Sequence, residues 1–274
     1  MLRWLPFPQR SRHRENLMFR PEACVALTVV YSLVGISHSS IAWSQEKAGK
    51  PKFKAVSPEI QTAKWAEKWW MPRHEQKVKA LKKQGRVDLL MIGDSITHGW
   101  ENAGKKVWQK YYADRHAFNI GFSGDRTEQV LWRLDHGEVS GISPKLAVIM
   151  IGTNNTGHRQ DPAVETAAGI QAILTKLDKK LPQTKVLLLG IFPRGAAPND
   201  KLRKRNRAIN KILATYEDKQ RVFYLDLGKQ FLTQDGRLPR DIMPDLLHPN
   251  TRGYELWAKA MEPMVAKFLG DQAR

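Results

Sequence analysis

Four short polar blocks that interrupt apolar stretches contain the residue types needed to hydrolyse an ester. In chain order they are Gly-Asp-Ser-Ile at 93–96, Asn-Ile-Gly-Phe-Ser-Gly at 119–124, Gly-Thr-Asn-Asn at 152–155 and Asp-Leu-Leu-His at 245–248. A serine hydroxyl is a weak nucleophile, so it needs a neighbouring base and a group that orients this base. We predict Ser95 as the nucleophile, His248 as the base, and Asp245, three residues before the histidine, as the orienting carboxylate.

The same chemistry requires hydrogen-bond donors aimed at the oxygen that becomes negative in the tetrahedral intermediate. Loss of one such donor typically costs about 2.7 to 4 kcal/mol of barrier. The predicted donors are the backbone N–H groups of Ser95 and Gly124 and the side-chain amide of Asn154. Each block alone is also typical of an ordinary turn or helix cap, but the four blocks in this order predict an acyl-transfer site.

The elements that position these blocks follow from the apolar pattern. Short runs rich in Val, Ile and Leu at 87–92, 117–120, 146–151, 185–191 and 222–225 alternate with helical periodicity. Nearly continuous apolar runs are typical of strands buried on both faces, and regular β-α alternation predicts a parallel sheet covered by helices. Active sites in such sheets form beyond the carboxyl ends of the strands, where the polar blocks fall.

Helices are predicted from their terminal residues and from apolar spacing. One helix is predicted over about 57–83, because Ser-Pro-Glu at its beginning is a typical helix start. Asp161 is predicted to cap another helix, with Pro162 as its first residue. The last helix is expected to begin near Asn250 and to be kinked by Pro263.

The four blocks resemble those of the SGNH hydrolases, also called GDSL esterases, in which a serine, a glycine, an asparagine and a histidine each lead one block. More closely, residues from about 69 to 268 resemble the catalytic alpha subunits of intracellular platelet-activating-factor acetylhydrolase. The segments that carry this resemblance are 119–121 with 124–125, Val-Leu-Trp-Arg-Leu at 130–134, 152–155, Leu-Gly-Ile-Phe-Pro-Arg-Gly at 189–195, and 245–248. Ile96 replaces the leucine of the GDSL name, which changes little.

The resemblance implies a flavodoxin-like three-layer α/β/α sandwich with five parallel strands in the order 2-1-3-4-5. It also implies the same roles for Ser95, Gly124, Asn154, Asp245 and His248 as their chemistry predicts. Dimers occur among the resembled subunits, which leaves a homodimer open for this chain.

Other polar residues near the blocks are assigned to supporting roles. His98 is expected on the helix that follows Ser95, in a surface or supporting position. Loop anchoring and helix packing are predicted for the rest, which are Asp94, Asp125, Trp132, Arg133, Asn155 and Arg194.

The first 42 residues have the pattern of an export signal. Five arginines precede an apolar run at 23–36, and the step Ser-Ile-Ala at 40–42 is of the type that signal peptidases cut. The run is shorter than the roughly 20 apolar residues of a spanning helix, although an uncleaved anchor helix is the alternative. Met18 is an alternative start. We therefore predict a signal peptide or anchor at 1–42, a flexible lead-in at 43–56 and a catalytic domain at 57–274, in an exported protein of the periplasm or the extracellular space.

The chain is strongly basic. Its formal net charge is +18, and loss of residues 1–42 removes five arginines and two glutamates, which leaves +15. Such a charge favours encounter with anionic surfaces, so a loose attraction to acidic polymers or phospholipid headgroups is expected. Basic residues also cluster at 201–211, but apolar residues recur there at helical spacing, which indicates the solvated face of an amphipathic helix. Because no nucleic-acid module accompanies the cluster, no specific nucleic-acid partner is predicted.

Neither a metal nor an organic cofactor is predicted. The eight histidines show no His-Glu-x-x-His spacing. The segment Gly-Phe-Ser-Gly at 121–124 is too short for a dinucleotide fingerprint, and no Gly-rich phosphate loop precedes a Lys-Ser or Lys-Thr pair. The only cysteine, Cys24, lies inside the predicted export segment, so the exported chain would have neither a disulfide nor thiol chemistry.

The predicted function is that of an exported serine esterase that removes acetyl or other short acyl groups through an acyl-enzyme. An acetylated carbohydrate is the expected substrate, and an acetylated phospholipid is the second candidate. Because an alcohol other than water can intercept an acyl-enzyme, an acyltransferase stays open. A non-catalytic protein that binds acidic cell-surface polymers fits the charge, but the presence of all four blocks argues against it.

Overall fold

Five parallel strands form a sheet in the order β2-β1-β3-β4-β5, which confirms the expected topology. The computed structural model describes residues 53–274, and the predicted signal segment at 1–42 lies outside them. The strands are β1 (Leu89–Gly93), β2 (Ala117–Gly121), β3 (Leu146–Met150), β4 (Lys185–Leu189) and β5 (Val222–Leu225). Each strand begins and ends within two residues of its predicted bounds.

Helices cover both faces of this sheet, which confirms the α/β/α sandwich. On one face lie α1 (Trp70–Gln84), α4 (Thr127–Asp135), α5 (Ala163–Lys180) and α6 (Lys201–Leu213). On the other lie α2 (Ser95–His98), α3 (Lys105–Tyr111) and α7 (Thr251–Leu269). Short 3-10 turns at Lys54–Val56, Gly99–Glu101, Ala214–Tyr216 and Gly228–Phe231 and a π turn at Asn155–Arg159 complete the described elements.

The hydrophobic core is divided by the sheet because successive strand side chains point to opposite faces. In β1, Leu90 and Ile92 pack among the residues of α4 and α5, whereas Leu89 and Met91 pack among those of α3 and α7. All five residues of β1 are buried. Burial on both faces accounts for the nearly continuous apolar runs by which the strands are recognised.

Helix α1 begins at Trp70, so the predicted helix over 57–83 is wrong in its first half. Contacts with the loop after β2 and with the first turn of α4 hold this segment in an irregular path. The N–H of Glu59 donates to the Glu128 carbonyl at 3.2 Å, and Gln61 Nε2 donates to the Gly124 carbonyl at 3.4 Å. These tertiary contacts override the local helix signal at Ser57.

The prediction of a flexible lead-in at 43–56 does not hold for its last residues. Residues Lys54–Val56 form a 3-10 turn, and Ala55 is buried against α4 and α5. Thr127 Oγ1 donates to the Ala55 carbonyl at 2.8 Å. The packed structure therefore includes residues before the predicted boundary at 57.

Two further helix predictions need correction. Asp161 does not cap α5, because its carboxylate accepts hydrogen bonds from Arg159 and Asn155 and the helix begins after Pro162. Helix α7 continues through Pro263 to its end, so the proline does not interrupt it. None of the helices in residues 53–274 is long and apolar enough to cross a membrane.

Helix α6 is amphipathic as predicted, with Ile209 and Leu213 buried. Arg203, however, does not lie on the solvated face. It is buried, and its guanidinium donates to the carbonyls of Arg194 at 3.0 Å and Gly236 at 2.6 Å. One residue of the basic cluster therefore fixes the loop that follows β4, while the cluster's other basic residues remain at least partly exposed.

Candidate active site

The first three polar blocks leave the sheet side by side because their strands are neighbours. Strand β1 lies between β2 and β3, and at its end Gly93 is paired with Gly121 on one side and with Met150 on the other. The block at 93–96 begins with the last residue of β1, the block at 119–124 begins within β2 and continues past its end, and the block at 152–155 follows β3.

Ser95 is the first residue of α2, after a tight turn that only glycine permits at position 93. A Cβ on Gly93 would lie 2.1 Å from Thr97 Oγ1 and 2.4 Å from the Met150 carbonyl oxygen. The carboxylate of Asp94 caps the helix by accepting a hydrogen bond from the N–H of Ile96 at 3.0 Å. The turn therefore presents a half-buried Ser95 hydroxyl at the carboxyl ends of the strands.

Ser95, His248 and Asp245 form one hydrogen-bonded chain. Ser95 Oγ lies 2.8 Å from His248 Nε2, and His248 Nδ1 lies 2.6 Å from Asp245 Oδ2. The other carboxylate oxygen accepts hydrogen bonds from the N–H groups of His248 at 2.7 Å and Leu247 at 3.0 Å. Such an arrangement can move a proton from the hydroxyl to the ring while the carboxylate fixes the ring's orientation.

The block at 245–248 turns tightly enough for its carboxylate to reach its own histidine ring. Leu246 has a left-handed backbone, with φ 61°, which is unfavourable for a residue with a side chain. Two hydrogen bonds hold it there, from the Leu246 N–H to the Met243 carbonyl and from the Gly195 N–H to the Leu246 carbonyl, each at 2.9 Å. The segment at 189–195 therefore has a structural role, because its last residue, Gly195, holds the loop that carries His248 in place.

Helix α7 connects this loop to the serine. Asn250 caps the helix by accepting from the N–H of Gly253 at 3.1 Å. One turn later, the Tyr254 hydroxyl donates to the carbonyl of Ile96 at 2.6 Å. The residue after Ser95 is thus bound to the helix that follows His248.

The environment of Asp245 favours its ionised form. Burial raises the pKa of this carboxyl, but hydrogen bonds from the His248 side chain and backbone more than offset that effect and hold the pKa below its ordinary value. A negative charge beside the ring stabilises the imidazolium that forms when His248 takes a proton.

Gly124 and Asn154 lie in the loops that follow the two strands flanking β1. Gly124 has φ +76°, a conformation that favours glycine. Asn154 Nδ2 donates one hydrogen to the carbonyl of Asp125 at 2.9 Å. Because a carboxamide carries two N–H donors, the second N–H of Asn154 is left for another acceptor. The structure therefore brings the two loops into direct contact.

The loop at 152–155 is held by side chains that the sequence assigns to anchoring. Asn155 Oδ1 accepts from the N–H of Thr127 at 3.1 Å, and its Nδ2 donates to Asp161 Oδ2 at the same distance. Arg194 Nη1 donates to the carbonyl of Thr153 at 3.0 Å. The loops after β2, β3 and β4 are thereby bound to one another.

His98 lies on α2 as expected, with its Nδ1 3.0 Å from Ser123 Oγ. Burial, together with the positive charges of Arg73 and Lys77, lowers the pKa of His98 to about 4. At neutral pH the ring is therefore uncharged, which suits a hydrogen-bonding role between α2 and the loop after β2.

A buried ion network beneath Gly124 was missed by the sequence analysis. Arg133 Nε donates to Asp125 Oδ2 at 2.8 Å, its Nη1 donates to Glu138, and its guanidinium lies 4.0 Å from the centre of the Phe122 ring. Trp70 Nε1 donates to the other oxygen of Asp125 at 2.6 Å. Burial raises the pKa of Asp125 to about 7, against the opposing charge of Arg133. The sequence feature that could have revealed this network is the arginine inside the otherwise apolar run at 130–134.

We expect Arg133→Met to destabilise the fold by about 3 to 5 kcal/mol, because the substitution leaves buried carboxylates without their partner. Urea unfolding measures this change. The control is Arg237→Met, which breaks an exposed ion pair with Asp235 and should cost less than about 1 kcal/mol. Equal effects of the two substitutions would contradict the importance given to the buried network.

Asp94 introduces a pH dependence of stability. Burial raises its pKa to about 6 from the ordinary value of 3.8, while a hydrogen bond from Ile96 and the charges of His248 and Arg194 oppose the change. The folded chain therefore binds this proton more tightly than the unfolded chain does. The resulting stabilisation is complete below pH 3.8, the pKa in the unfolded chain, and is lost as the pH rises through about 6, the pKa in the folded chain.

We expect Asp94→Asn to remove this dependence, since asparagine keeps the helix cap without ionising. Between pH 4.5 and 7.5 the free energy of unfolding of the variant should rise relative to that of the wild type by roughly 2 kcal/mol. Chemical denaturation across this pH range tests the prediction, and a difference between the two proteins that does not change with pH would refute it.

In the part of the chain that the structure describes, no group of three or more His, Cys, Asp or Glu side chains is arranged to hold a metal ion.

Residues 91–256 match the sequence model of the GDSL-like lipase/acylhydrolase family. The chain belongs to this family. It is a carboxylic ester hydrolase, and the resemblance stated from the four blocks is confirmed.

Among characterised proteins, the human platelet-activating factor acetylhydrolase IB subunit alpha1 is 35% identical over 201 residues, which are 73% of this chain and 84% of the human subunit. The alpha2 subunit of Rattus norvegicus is also 35% identical over 201 residues, which are 73% of this chain and 85% of that subunit. The similarity to the resembled acetylhydrolase subunits therefore extends over most of their length.

Solved structures of family members share the fold. A GDSL-like lipase from Bacteroides thetaiotaomicron superposes with a TM-score of 0.59 at 21% identity, covering 72% of this chain and 97% of that chain. A catalytic mutant of an acetylxylan esterase from Geobacillus stearothermophilus gives a TM-score of 0.53 at 18% identity, covering 68% and 95%. These similarities establish the architecture of the sandwich.

Proposed function

We propose that the chain is an exported serine esterase that removes acetyl or similarly short acyl groups by way of an acyl-enzyme. The observation that supports this most strongly is the continuous hydrogen-bonded chain from Ser95 Oγ through the His248 ring to Asp245, with separations of 2.8 and 2.6 Å. Export is supported by the pattern of residues 1–42, and N-terminal sequencing of the protein recovered from the periplasm or medium tests it.

In the proposed reaction, Ser95 Oγ attacks the ester carbonyl carbon while His248 Nε2 takes the hydroxyl proton. The backbone N–H groups of Ser95 and Gly124 and the free N–H of Asn154 stabilise the negative oxygen of the tetrahedral intermediate. His248 then gives its proton to the departing alcohol, which leaves an acyl group on Ser95. Water, deprotonated by the same ring, attacks this group, and the ring gives that proton to Ser95 Oγ as the bond to serine breaks and the acid leaves.

The openness of the site supports a short acyl group and a large alcohol part. The side chains of His248 and Asp245 are 42% and 56% exposed. A long acyl chain needs an enclosed apolar channel, whereas an acetylated polymer can lie across an open rim.

An acetylated carbohydrate is the proposed substrate, because an exported esterase meets cell-surface and extracellular glycans. The shared fold with an acetylxylan esterase is consistent with this choice. An acetylated phospholipid is the second candidate, because the 35% identity with platelet-activating factor acetylhydrolase subunits favours it. The strongly basic chain is expected to approach anionic surfaces with either substrate.

The experiment that tests this function measures the acid released by the wild-type enzyme from two series of esters. One series varies the acyl group from acetyl to octanoyl on a single alcohol. The other compares acetylated xylo-oligosaccharide with an acetylated phospholipid. We expect acetyl esters to react fastest and the oligosaccharide to exceed the lipid in kcat/KM. The reverse preference supports the second candidate, and no release from any ester ends the proposal.

The same assay separates hydrolysis from acyl transfer when sugar acceptors are added. In hydrolysis the acetyl group appears as acetate at an unchanged yield. In transfer the acetyl group appears on the acceptor, and the yield of acetate falls.

A further inference from the structure

An exposed tryptophan lies beside the loop that carries Gly124. Trp65 is 52% exposed, and it is the only exposed Trp, Tyr or Phe side chain in residues 53–274. Leaving so large an apolar surface in water forgoes the stabilisation that burial would provide. Tryptophan is enriched at binding interfaces because it combines a large, rigid apolar ring with a polar N–H.

The position of this indole is defined by the loop beneath it. A Cβ added to Gly124 would lie 2.0 Å from Cη2 and 2.6 Å from Cζ2 of Trp65, so the ring rests directly on the glycine backbone. Trp65 also stacks on Trp69, with ring centroids 6.0 Å apart and planes inclined by 29°. Trp69 Nε1 donates to the carbonyl of Trp65 at 3.1 Å.

The segment that carries both tryptophans is attached to the same loop at several points. Gln61 Nε2 donates to the Gly124 carbonyl, and its Oε1 accepts from the Ala63 N–H at 3.1 Å. At the other end of the segment, Trp70 Nε1 donates to the Asp125 carboxylate. These hydrogen bonds fix the segment that carries the exposed ring next to Gly124, a predicted oxyanion donor.

We propose that Trp65, backed by Trp69, is the platform on which a sugar ring of the acylated substrate stacks while its acetyl group reaches Ser95. This inference rests on the proposed function and specifies where the alcohol part of the substrate binds. Trp65 lies against Gly124, a predicted oxyanion donor, and the Trp69 ring is centred 6.1 Å from the ring of His98 on the helix that begins with Ser95. A sugar ring on the indole therefore lies close to the proposed oxyanion site.

The geometry favours a sugar over the quaternary ammonium of a choline phospholipid. Quaternary ammonium groups are bound by cages in which several aromatic faces surround the cation. The Trp65 and Trp69 rings instead stack on each other, with planes inclined by 29°, and do not face a common space, while about half of the Trp65 side chain is exposed. A flat open face suits the C–H face of a pyranose, whose hydroxyl groups remain at the rim in water.

The test compares Trp65→Phe with Trp65→Leu. Phenylalanine keeps a flat ring and leucine keeps apolar bulk without one, so the pair separates ring stacking from general apolar contact. Isothermal titration calorimetry measures the binding of xylotetraose, mannotetraose and chitotetraose to wild type and to both variants. This binding does not require catalysis.

We expect at least one of these sugars to bind the wild type, with Kd within about threefold in Trp65→Phe and at least tenfold weaker in Trp65→Leu, a loss that corresponds to about 1.4 kcal/mol. The ratio of kcat/KM for acetylated oligosaccharide to that for ethyl acetate should fall by a similar factor in Trp65→Leu. The control Val164→Ala, at another exposed apolar residue, should leave this ratio unchanged.

Two results overturn the platform. One is the absence of binding by the wild type to all three sugars, and the other is equal binding by the leucine variant and the wild type. Failure of the proposed function gives another result. The sugars then bind through Trp65, but the wild type releases no acetate from their acetylated forms. This outcome supports the platform and refutes the esterase assignment.

Discussion

Replacing Ser95 with alanine is expected to lower kcat for 4-nitrophenyl acetate by about 10⁵- to 10⁶-fold, the size of loss seen when a serine hydrolase loses its nucleophile. The reason is the position of the hydroxyl, 2.8 Å from the only ring nitrogen through which the Asp245–His248 pair can take its proton. The N–H donors remain in the variant, so a small residual rate above that in water is expected.

The measurement is the steady-state rate together with thermal unfolding of both proteins. The fold should be unaffected, since alanine is accepted at the start of a helix and fills less space. Ser140→Ala, at an exposed serine outside the site, is the matched control and should retain wild-type rates. A Ser95→Ala enzyme with more than about one hundredth of the wild-type rate would remove Ser95 from the proposed role.

Asp245→Asn is expected to reduce kcat by about 10⁴-fold with little change in structure, as in serine hydrolases whose triad carboxylate is replaced by an amide. Asp245 accepts three hydrogen bonds, from His248 Nδ1 and from the N–H groups of Leu247 and His248. An amide can present its NH₂ group to the ring and so favour the tautomer whose Nε2 carries a hydrogen. That tautomer cannot take the serine proton.

The control for this substitution is Asp241→Asn, because Asp241 is an exposed carboxylate only four residues away that pairs with Arg252. Its rate should stay within about threefold of wild type, as expected for a surface pair. If Asp245→Asn keeps a tenth or more of wild-type kcat, then the carboxylate does not set the tautomer, and His248 must be oriented by other contacts.

The strands and the hydrogen bond between Asp245 and His248 could be predicted from the sequence because their signals are local. Strand β3 is a run of apolar residues buried on both faces, and Asp245 and His248 are close enough in sequence to meet within one turn. Ser95 lies at the carboxyl end of the sheet because it directly follows β1, where active sites of parallel sheets form. His248 reaches it from the loop before α7, whose Tyr254 hydroxyl donates to the Ile96 carbonyl.

The features that the sequence did not reveal depend on tertiary contacts. Arg203 is predicted on the solvated face of its helix and Arg133 only in a packing or anchoring role, yet both are buried because carboxylates or carbonyls from distant segments surround them. The late start of α1 depends on hydrogen bonds from Gln61 to the loop after β2 and from Glu59 to the first turn of α4, both more than 60 residues away in sequence. Periodicity carries no information about such partners.

The buried contacts that the sequence did not reveal include those that fix the loop around Gly124, which carries a proposed oxyanion donor. Asp125 is bound by Trp70 and Arg133 through its side chain and by Asn154 through its carbonyl. Oxyanion stabilisation requires donors that are fixed before the charge develops. The buried ion network therefore supports the geometry of the proposed site as well as the stability of the fold.

Covalent labelling of the wild-type enzyme with a fluorophosphonate, followed by peptide mass spectrometry, shows directly whether Ser95 is the nucleophile. We expect one phosphonyl group per chain on the peptide that contains Ser95, loss of esterase activity in proportion to labelling, and no label in Ser95→Ala. Complete labelling at another residue, or full esterase activity in a chain labelled at Ser95, would contradict this role.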